Sequence, residues 1–346
     1  MSSDTGGRAH VAGSIADLLD VVGAHNRSPL LVAAPQSGSL LERVVGADGR
    51  TFVLKRQSFD RDFLMHVTRD RHCRAVALWE TGVLGVLPEG IDHCVIGTAR
   101  EGDEWALLMR DATDVLLPRL GVISRGRWNR LLEAAAKLHA RFLDEPPDAH
   151  LCSLADRYRI PSPESLLRVD YPDGMAHRLR SGWDIFSETV PIDVAQPVLD
   201  LLEDLSPLTS ALGMCRPTLL HGDLDRSNLG IDQTQVVMLD WQLAAAGPPA
   251  FDLVWFVAQN ADRCVGGRDE IVAAFRELLS AALGPRFDPE EFARQLDLAM
   301  LGGLVLTGFA IAHDAANAAS EEARERHVDE LAWWILRARP GIGRLG

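Results

Sequence analysis

The chain has 346 residues, of which 47% are hydrophobic and 24% are charged, and its formal net charge is −14. This length and composition indicate a globular protein with enough apolar material for two lobes around a cleft. The negative charge, of which −12 lies after residue 110, argues against nucleic acid as a partner and favours cationic ligands, although solubility alone explains it equally well.

Cysteine and lysine usage bears on the cellular compartment and on candidate functional residues. The five cysteines show no CxxC pairing, which predicts free thiols in a reducing cytoplasm and no zinc site. Residues 1–14 are predicted to be a flexible tail without the apolar segment of a signal peptide, and no apolar stretch is long enough to span a membrane. Only two of the 35 basic residues are lysines, Lys55 and Lys137, so a lysine in an apolar segment needs an explanation.

After a short predicted helix at residues 15–22, a β pattern runs from Leu30 to Arg110. Alternating apolar residues and turn signals predict five strands and one helix in this segment. The turn at 36–39, with one glycine and two hydroxyls, is able to lay backbone N–H groups over phosphates, although an ordinary hairpin turn explains it better by itself. The predicted strands begin at Leu30 and Leu40 and cover Thr51–Arg56, Cys94–Ile96 and Trp105–Met109, and the predicted helix covers Asp70–Glu80.

Lys55 stands in the strand sequence FVLK. An edge-strand lysine whose amine reaches water is the ordinary interpretation. The near-absence of lysine elsewhere favours a functional role instead, and a point charge of this kind suits phosphate oxygens.

After a predicted hinge at residues 110–113 the pattern becomes helical, so we expect an N-terminal lobe at 1–110 and a C-terminal lobe at 111–346. His139 lies on the apolar face of the first of these helices, which is typical of a core histidine. The predicted helices cover residues 128–142, 162–169, 193–204 and 268–283, and two more begin at Asp288, with a capping box, and near Ser320.

The segment 218–241 carries the main chemical signal. Two short apolar runs, Thr218–Leu220 and Val236–Leu239, read as strands joined by a polar loop. Such a loop brings Asp223, Asn228 and Asp240 to one place. Two carboxylates and a carboxamide are oxygen ligands of the kind that Mg²⁺ shares with substrate phosphates.

Together these features form an ordered set: a strand lysine, a hinge, the sequence HGD at 221–223, Asn228 and a later Asp-Trp at 240–241. In this order and spacing, over about residues 30–340, the chain resembles the aminoglycoside phosphotransferase and choline kinase family. The resemblance implies an α+β, protein-kinase-like bilobal fold, with a small β-rich N-terminal lobe and a larger, mainly helical C-terminal lobe.

The resemblance also implies a kinase that uses ATP or GTP with Mg²⁺, and phosphoryl transfer assigns each residue a task. Asp223 is expected to act on the attacking hydroxyl as the catalytic residue. The expected nucleotide contacts are Lys55, the turn residues Ser37, Gly38 and Ser39, and the hinge residues Met109 and Asp111; the expected metal ligands are Asn228 and Asp240, and the expected supporting residues are His221 and Asp252.

Two departures from the pattern of protein-kinase-like enzymes stand out. The lysine of these enzymes usually pairs with a helix glutamate, but alanine occupies the expected place after Arg74. Either Glu80 pairs with Lys55 from one turn later, or Lys55 has another partner. Trp241-Gln242 follows the metal aspartate in place of Phe-Gly, which suggests a fixed metal loop.

We expect a phosphotransferase that acts on a hydroxyl of a small cationic molecule, such as an aminoglycoside-type antibiotic or an amino sugar, with no nucleic-acid or membrane partner. A neutral-sugar or choline-type metabolic kinase and a nucleotide-binding pseudokinase are the alternatives. A metallohydrolase is less favoured because no second histidine cluster accompanies the HxD pair. The expected substrate contacts are Asp225, Asp262, Glu330 and Trp334.

Overall fold

The computed structural model describes residues 9–30, 37–118, 120–168 and 174–345. Most of the strand predicted from Leu30, together with Gln36, lies outside these residues. The β-strands are β1 (Val11–Ala12), β2 (Asn26–Pro29), β3 (Leu40–Val45), β4 (Thr51–Ser58), β5 (Ile91–Asp92), β6 (Val95–Glu101), β7 (Glu104–Arg110), β8 (Thr218–Leu220), β9 (Leu229–Asp232), β10 (Gln235–Met238) and β11 (Ala245–Gly247).

Helices dominate the chain after residue 110. The described residues also form 3₁₀ turns at Leu84–Val86, Arg226–Asn228, Trp241–Leu243 and Gly284–Arg286. The α-helices are α1 (Ile15–Asp20), α2 (Phe63–Val67), α3 (Arg74–Glu80), α4 (Arg125–Phe142), α5 (Leu154–Arg159), α6 (Ser165–Arg168), α7 (Met175–Thr189), α8 (Ile192–Glu203), α9 (Ser206–Gly213), α10 (Ala250–Asn260), α11 (Arg268–Leu283), α12 (Pro289–Ala316) and α13 (Glu321–Ile342).

The N-terminal sheet has six strands in the order β1-β6-β7-β4-β3-β2, and its pairs are antiparallel except for β1 with β6. Because side chains alternate across a strand, β4 sends Leu54 into a small core with α1 and sends Lys55 to the opposite face. That opposite face looks towards the helical part of the chain, where Lys55 meets Asp240. Since β1 belongs to this sheet, part of the predicted N-terminal tail is ordered strand.

Two small sheets carry the loops of the helical region. One has the order β5-β10-β9, and the other pairs β8 with β11 in antiparallel fashion. β5 comes from the N-terminal part of the chain but pairs in parallel with β10, so that Ile91 lies opposite Val236. One strand from before the predicted lobe boundary at 110/111 thus belongs to a sheet formed by residues after it. The boundary itself stays a prediction.

Helix α12 is the central element of the helical region and packs against α7, α10 and α13. It is long and apolar enough, by length and composition alone, to cross a membrane, but 72% of its most apolar window is buried inside the fold. Burial of that kind is typical of the core helix of a globular domain. Its start is as predicted: the Asp288 carboxylate accepts hydrogen bonds from the Glu290 and Glu291 N–H groups, with Pro289 in the first turn.

Most predicted elements are confirmed, with local differences. Strand β8 and helices α4, α8 and α11 lie where the periodicity placed them, but the helix predicted from Asp70 begins only at Arg74. A separate short helix, α2, precedes it. Helices α5, α7, α9 and α10 were not predicted. The apolar run of α10, for example, has no polar face to set a 3.6-residue period.

Candidate active site

The backbone of the catalytic loop (residues 221–228) is held by one buried carboxylate. Asp252, fully buried in the first turn of α10, accepts hydrogen bonds from the N–H groups of His221 (2.8 Å) and Gly222 (2.9 Å). Burial raises the pKa of Asp252 to about 7, while these two donors oppose that rise by favouring the carboxylate. The prediction that Asp252 supports the loop therefore has a direct geometric basis.

Gly222 allows the loop to turn at this point. Its φ is +79°, and an added Cβ would lie 2.0 Å from the carbonyl oxygen of Leu243. The catalytic loop thus passes directly over the segment that follows Asp240, with no room for a side chain between the two. The close approach ties the expected nucleophile-orienting residue to the expected metal ligand.

His221 is fully buried within the loop. Its ring packs at 4.5 Å, between centroids, on the ring of Trp241, and its Nδ1 accepts a hydrogen bond of 3.3 Å from the Asp223 N–H. Burial lowers the pKa of His221 to about 4, so the ring is neutral near pH 7 and accepts this N–H. A fully buried ring does not reach a substrate, which agrees with the supporting role.

Both carboxylate oxygens of Asp223 are oriented by side-chain donors. Oδ1 accepts from the Trp255 indole N–H at 2.8 Å, and Oδ2 accepts from the Asn228 amide at 2.9 Å. Burial raises the pKa of Asp223 to about 6, and the Arg157 guanidinium opposes that rise. A carboxylate held in this way, with a pKa near neutrality, is well suited to orient or deprotonate a hydroxyl.

Arg157 and Trp255 were missed by the sequence analysis. Arg157 is 2% exposed, its guanidinium stacks 4.2 Å above the Trp255 ring, and its Nη2 has no hydrogen-bond partner among the described residues. It therefore places a buried positive charge beneath Asp223 and fixes the indole that binds Asp223. Arg157 lies in helix α5, which was not predicted, and no motif in the sequence linked it to Asp223.

Lys55 pairs with Asp240. Its Nζ lies 2.8 Å from both Oδ1 and Oδ2 of Asp240, and 3.4 Å from Oε1 of Gln242. Burial alone would lower the pKa of Lys55 and raise that of Asp240. The attraction between the two charges outweighs burial and shifts both pKa values the opposite way, so both groups are ionised at neutral pH.

Glu80 is not the partner of Lys55. Its side chain is exposed and accepts a weak hydrogen bond of 3.5 Å from the Thr98 hydroxyl. The expectation that Glu80 supports Lys55 from one turn later is therefore wrong, because Glu80 lies at the outer end of α3. The second alternative holds, and the partner is Asp240.

The metal-ligand expectation fits the donor set. Asn228 donates its amide N–H groups to Asp223, which leaves its carbonyl oxygen as the acceptor, and Asp240 offers a carboxylate with about a third of its side chain exposed. Asp240 also has a φ of +59°, unusual for a residue other than glycine. One carboxylate, one amide oxygen and phosphate oxygens make a suitable set for Mg²⁺.

The covering turn (Ser37–Gly38–Ser39) is anchored on the start of α2. The Phe63 N–H donates to the Ser37 carbonyl at 2.8 Å, and the Ser39 hydroxyl donates to the Asp62 carboxylate at 2.7 Å. A Cβ on Gly38 would lie 2.3 Å from the Arg61 carbonyl oxygen, so glycine is required there. Whether this turn covers phosphates stays a prediction.

The hinge residues are only partly available to a nucleotide base. Met109 is half-buried in β7, but the Asp111 N–H already donates to the Thr51 carbonyl at 3.3 Å. The Asp111 carboxylate caps Thr113 through its N–H and hydroxyl groups. A base contact through the Asp111 N–H would thus break an existing hydrogen bond, and the role of Met109 stays a prediction.

The residues expected to bind substrate are not brought together as an open acidic pocket. Trp334 is fully buried between α12 and α13, so the expectation that it contacts substrate is wrong. Glu330 pairs with Arg268 at 3.0 Å. Asp262 pairs with Arg263 at 3.0 Å, and Asp225 accepts the Ser227 N–H as the cap of a 3₁₀ turn.

Comparison with known proteins gives the class. The sequence matches the profile of the phosphotransferase enzyme family over residues 39–294, so the chain belongs to that family and is a small-molecule kinase. No manually curated protein matches the sequence.

Solved structures share the fold. The choline kinase LicA from Streptococcus pneumoniae is 9% identical, with 92% of this chain and 96% of that chain covered and a TM-score of 0.51. An aminoglycoside phosphotransferase from Alicyclobacillus acidocaldarius is 17% identical, with 94% and 92% covered and a TM-score of 0.49. The likeness to the choline kinase confirms the predicted α+β, protein-kinase-like fold.

Proposed function

We propose that this kinase transfers the γ-phosphate of ATP or GTP to a hydroxyl group of a small cationic molecule, with aminoglycoside-type antibiotics and amino sugars as the leading acceptors, in the cytoplasm. The observation that carries the proposal is that two carboxylates of the site have different partners and are therefore suited to different tasks. Asp223 is held by hydrogen-bond donors on both oxygens, while Asp240 holds the strand lysine. Phosphoryl transfer needs such a separation between orienting the acceptor and gripping the phosphates.

In this mechanism Asp223 accepts a hydrogen bond from the acceptor hydroxyl and takes up its proton as the oxygen attacks the γ-phosphorus. The bond from the γ-phosphorus to the β–γ bridging oxygen breaks at the same time, and ADP or GDP leaves. The hydrogen bonds from Asn228 and Trp255 keep the carboxylate aimed at the acceptor. Lys55 would bind phosphate oxygens of the nucleotide, and Asp240 and Asn228 would hold Mg²⁺, which would neutralise charge on the triphosphate.

The cationic acceptor is supported by the formal charge of −14 and its concentration after residue 110. Among the expected acidic contacts, the carboxylates of Asp262 and Glu330 already pair with arginines of this chain. These carboxylates are less available to an acceptor with several amino groups, which favours the second candidate, a neutral-sugar or choline-type metabolic kinase.

Release of ADP or GDP in the presence of candidate acceptors tests the proposal. A panel of aminoglycosides, amino sugars, neutral sugars and choline is incubated with Mg-ATP or Mg-GTP, and each product is identified by its mass. Turnover with aminoglycosides or amino sugars supports the proposal, turnover with neutral sugars or choline alone supports the second candidate, and nucleotide binding without turnover on any acceptor points to a pseudokinase.

A further inference from the structure

Helix α3 does not supply a carboxylate to Lys55 but a cation to the metal loop (residues 240–242). Arg74, 3% exposed, donates from Nη1 to the Gln242 carbonyl at 2.8 Å and from Nη2 to the Thr68 carbonyl at 3.0 Å. Its own counter-charge is Asp70, whose carboxylate lies 3.7 Å away and also accepts the Arg74 N–H. Arg74, next to the place where protein-kinase-like enzymes have the glutamate, thus fixes the backbone of the metal loop. The orientation of Lys55 is left to other residues.

One buried carboxylate gathers three parts of the site. Asp62 is 1% exposed and caps α2 by accepting the Met65 N–H. Its side chain also accepts hydrogen bonds from the Ser39 hydroxyl (2.7 Å), the Gln57 amide (3.1 Å) and the Gln242 amide (2.8 Å). The covering turn, strand β4 and the metal loop therefore meet at a single side chain.

Gln242 continues this connection to the lysine. Its amide nitrogen donates to Asp62, while its amide oxygen accepts from Lys55 Nζ at 3.4 Å. The side chain is 2% exposed, so both ends lie in a low-dielectric setting where hydrogen bonds to charged groups are strong and costly to lose. A continuous path of hydrogen bonds runs from Ser39 through Asp62 and Gln242 to the Lys55–Asp240 pair.

We infer that Asp62 and Gln242 are positioning residues that hold the covering turn and the Lys55 amine in register with the metal loop, so that all three grip the same nucleotide triphosphate. They do in this chain what a helix glutamate would do from α3. The inference deepens the proposed function and rests on it, because it assumes that Lys55 and Asp240 bind a nucleotide with Mg²⁺.

Nucleotide binding is the first test. Titration with the non-hydrolysable analogue AMP-PNP and Mg²⁺ is carried out on the wild type, Asp62→Asn, Gln242→Leu, the double variant and Asp60→Asn. Asp60 lies on the exposed surface two residues before Asp62, which makes it a matched control. We expect each of the first two substitutions to raise the Kd about tenfold, the double variant to raise it no further than the larger single effect, and Asp60→Asn to leave it unchanged.

Two further measurements distinguish the positioning role of Asp62 and Gln242 from a purely structural role. The KM for the acceptor should stay unchanged while the KM for nucleotide rises. The chain has only two lysines, so acylation of Lys55 is measured by peptide mass against that of Lys137, whose side chain is 51% exposed. With no nucleotide present, the labelling ratio of Lys55 to Lys137 should rise in Asp62→Asn and Gln242→Leu, since a released amine becomes accessible.

The outcomes distinguish the two proposals. A wild type that binds neither AMP-PNP nor a non-hydrolysable analogue of GTP in the presence of Mg²⁺ overturns the proposed function and this inference together. A wild type that binds and turns over, with folded Asp62→Asn and Gln242→Leu variants of unchanged Kd and labelling, overturns the inference alone, as does strict additivity in the double variant. Should Asp62→Asn fail to fold, Gln242→Leu and Ser39→Ala test the same inference. Ser39→Ala removes the hydrogen bonds of the Ser39 hydroxyl to Asp62 and Ser37 but leaves the backbone bond that anchors the turn on Phe63.

Discussion

Lys55 Nζ lies at equal distances, 2.8 Å, from the two carboxylate oxygens of Asp240. In this arrangement the lysine occupies both oxygens of the expected metal ligand. Each carboxylate oxygen keeps a second lone pair, and about a third of the Asp240 side chain is exposed, so Asp240 can offer an oxygen to Mg²⁺ while it still holds Lys55. The ion pair keeps both residues charged and in place.

Asp240→Asn tests this relationship. The substitution removes the charge that attracts both Mg²⁺ and Lys55, so we expect the Kd of Mg-nucleotide to rise by about tenfold or more, and the dependence of binding on Mg²⁺ concentration to weaken. Calorimetric titration with and without Mg²⁺ measures both quantities. An unchanged affinity at every Mg²⁺ concentration would place the metal elsewhere.

Asp223→Asn separates chemistry from binding. Because Asn cannot accept the proton of the acceptor hydroxyl, we expect kcat to fall by about 10²–10⁴ while the affinity for Mg-nucleotide stays within about twofold. The measurements are steady-state release of the nucleoside diphosphate and titration with AMP-PNP. Turnover near the wild-type rate would contradict the assignment of Asp223.

Trp255→Phe tests the orientation of that carboxylate. Phenylalanine keeps a ring beneath the Arg157 guanidinium but loses the N–H that binds Asp223 Oδ1. We expect kcat to fall by about three- to tenfold with little change in melting temperature, in line with the loss of one hydrogen bond to a charged group. Trp333→Phe, in the distant helix α13, is the control and should leave kcat unchanged.

The sequence allowed us to predict the candidate residues with distinctive spacing along the chain, but not the residues that hold them in place. Lys55, Asp223, Asn228 and Asp240 were found because their spacing along the chain is distinctive and their oxygen or ammonium groups suit phosphate and Mg²⁺. Asp62, Gln242, Arg157 and Trp255 were missed because their partners are distant in the chain: Gln242 and Asp62 are 180 residues apart. Local periodicity carries no information about such pairs.

The same limit explains the errors. Trp334 was named among the expected substrate contacts, but only the packing of α12 on α13 decides whether its ring is buried. Glu80 was one of two alternatives for the partner of Lys55, but its side chain is exposed at the C-terminal end of α3, a helix that begins four residues later than predicted. Boundaries of short helices depend on tertiary contacts more than on propensity.

Gly222→Ala tests the close contact between the two loops. At φ +79° with a Cβ 2.0 Å from the Leu243 carbonyl, alanine would force the loops apart, and we expect the free energy of unfolding to drop by about 3 kcal/mol or more. Gly213→Ala is the matched control, since an added Cβ there meets no atom within 4 Å. Denaturant unfolding measures both, and equal stabilities would contradict the contact.

The stability of the protein at acidic pH should depend on the buried residue His139. Burial lowers the pKa of His139 to about 3, while an unfolded chain has a histidine pKa of about 6.5. The unfolded state therefore binds the proton first, and the free energy of unfolding should fall as the pH drops from about 6.5 towards 3. His139→Gln should flatten this part of the curve, whereas replacing the exposed His25 should not; an identical slope in both variants would contradict the assignment.

The parallel pairing of β5 with β10 has a consequence for dividing the molecule. A fragment that ends at residue 110 would carry Ile91–Asp92 without the strand that pairs with it, and the remaining fragment would expose one edge of β10. Unpaired strand edges attract other chains and promote aggregation. The two halves should therefore recover a soluble, nucleotide-binding protein only when they are produced together, which makes this kinase a natural candidate for a split reporter whose signal depends on reassembly.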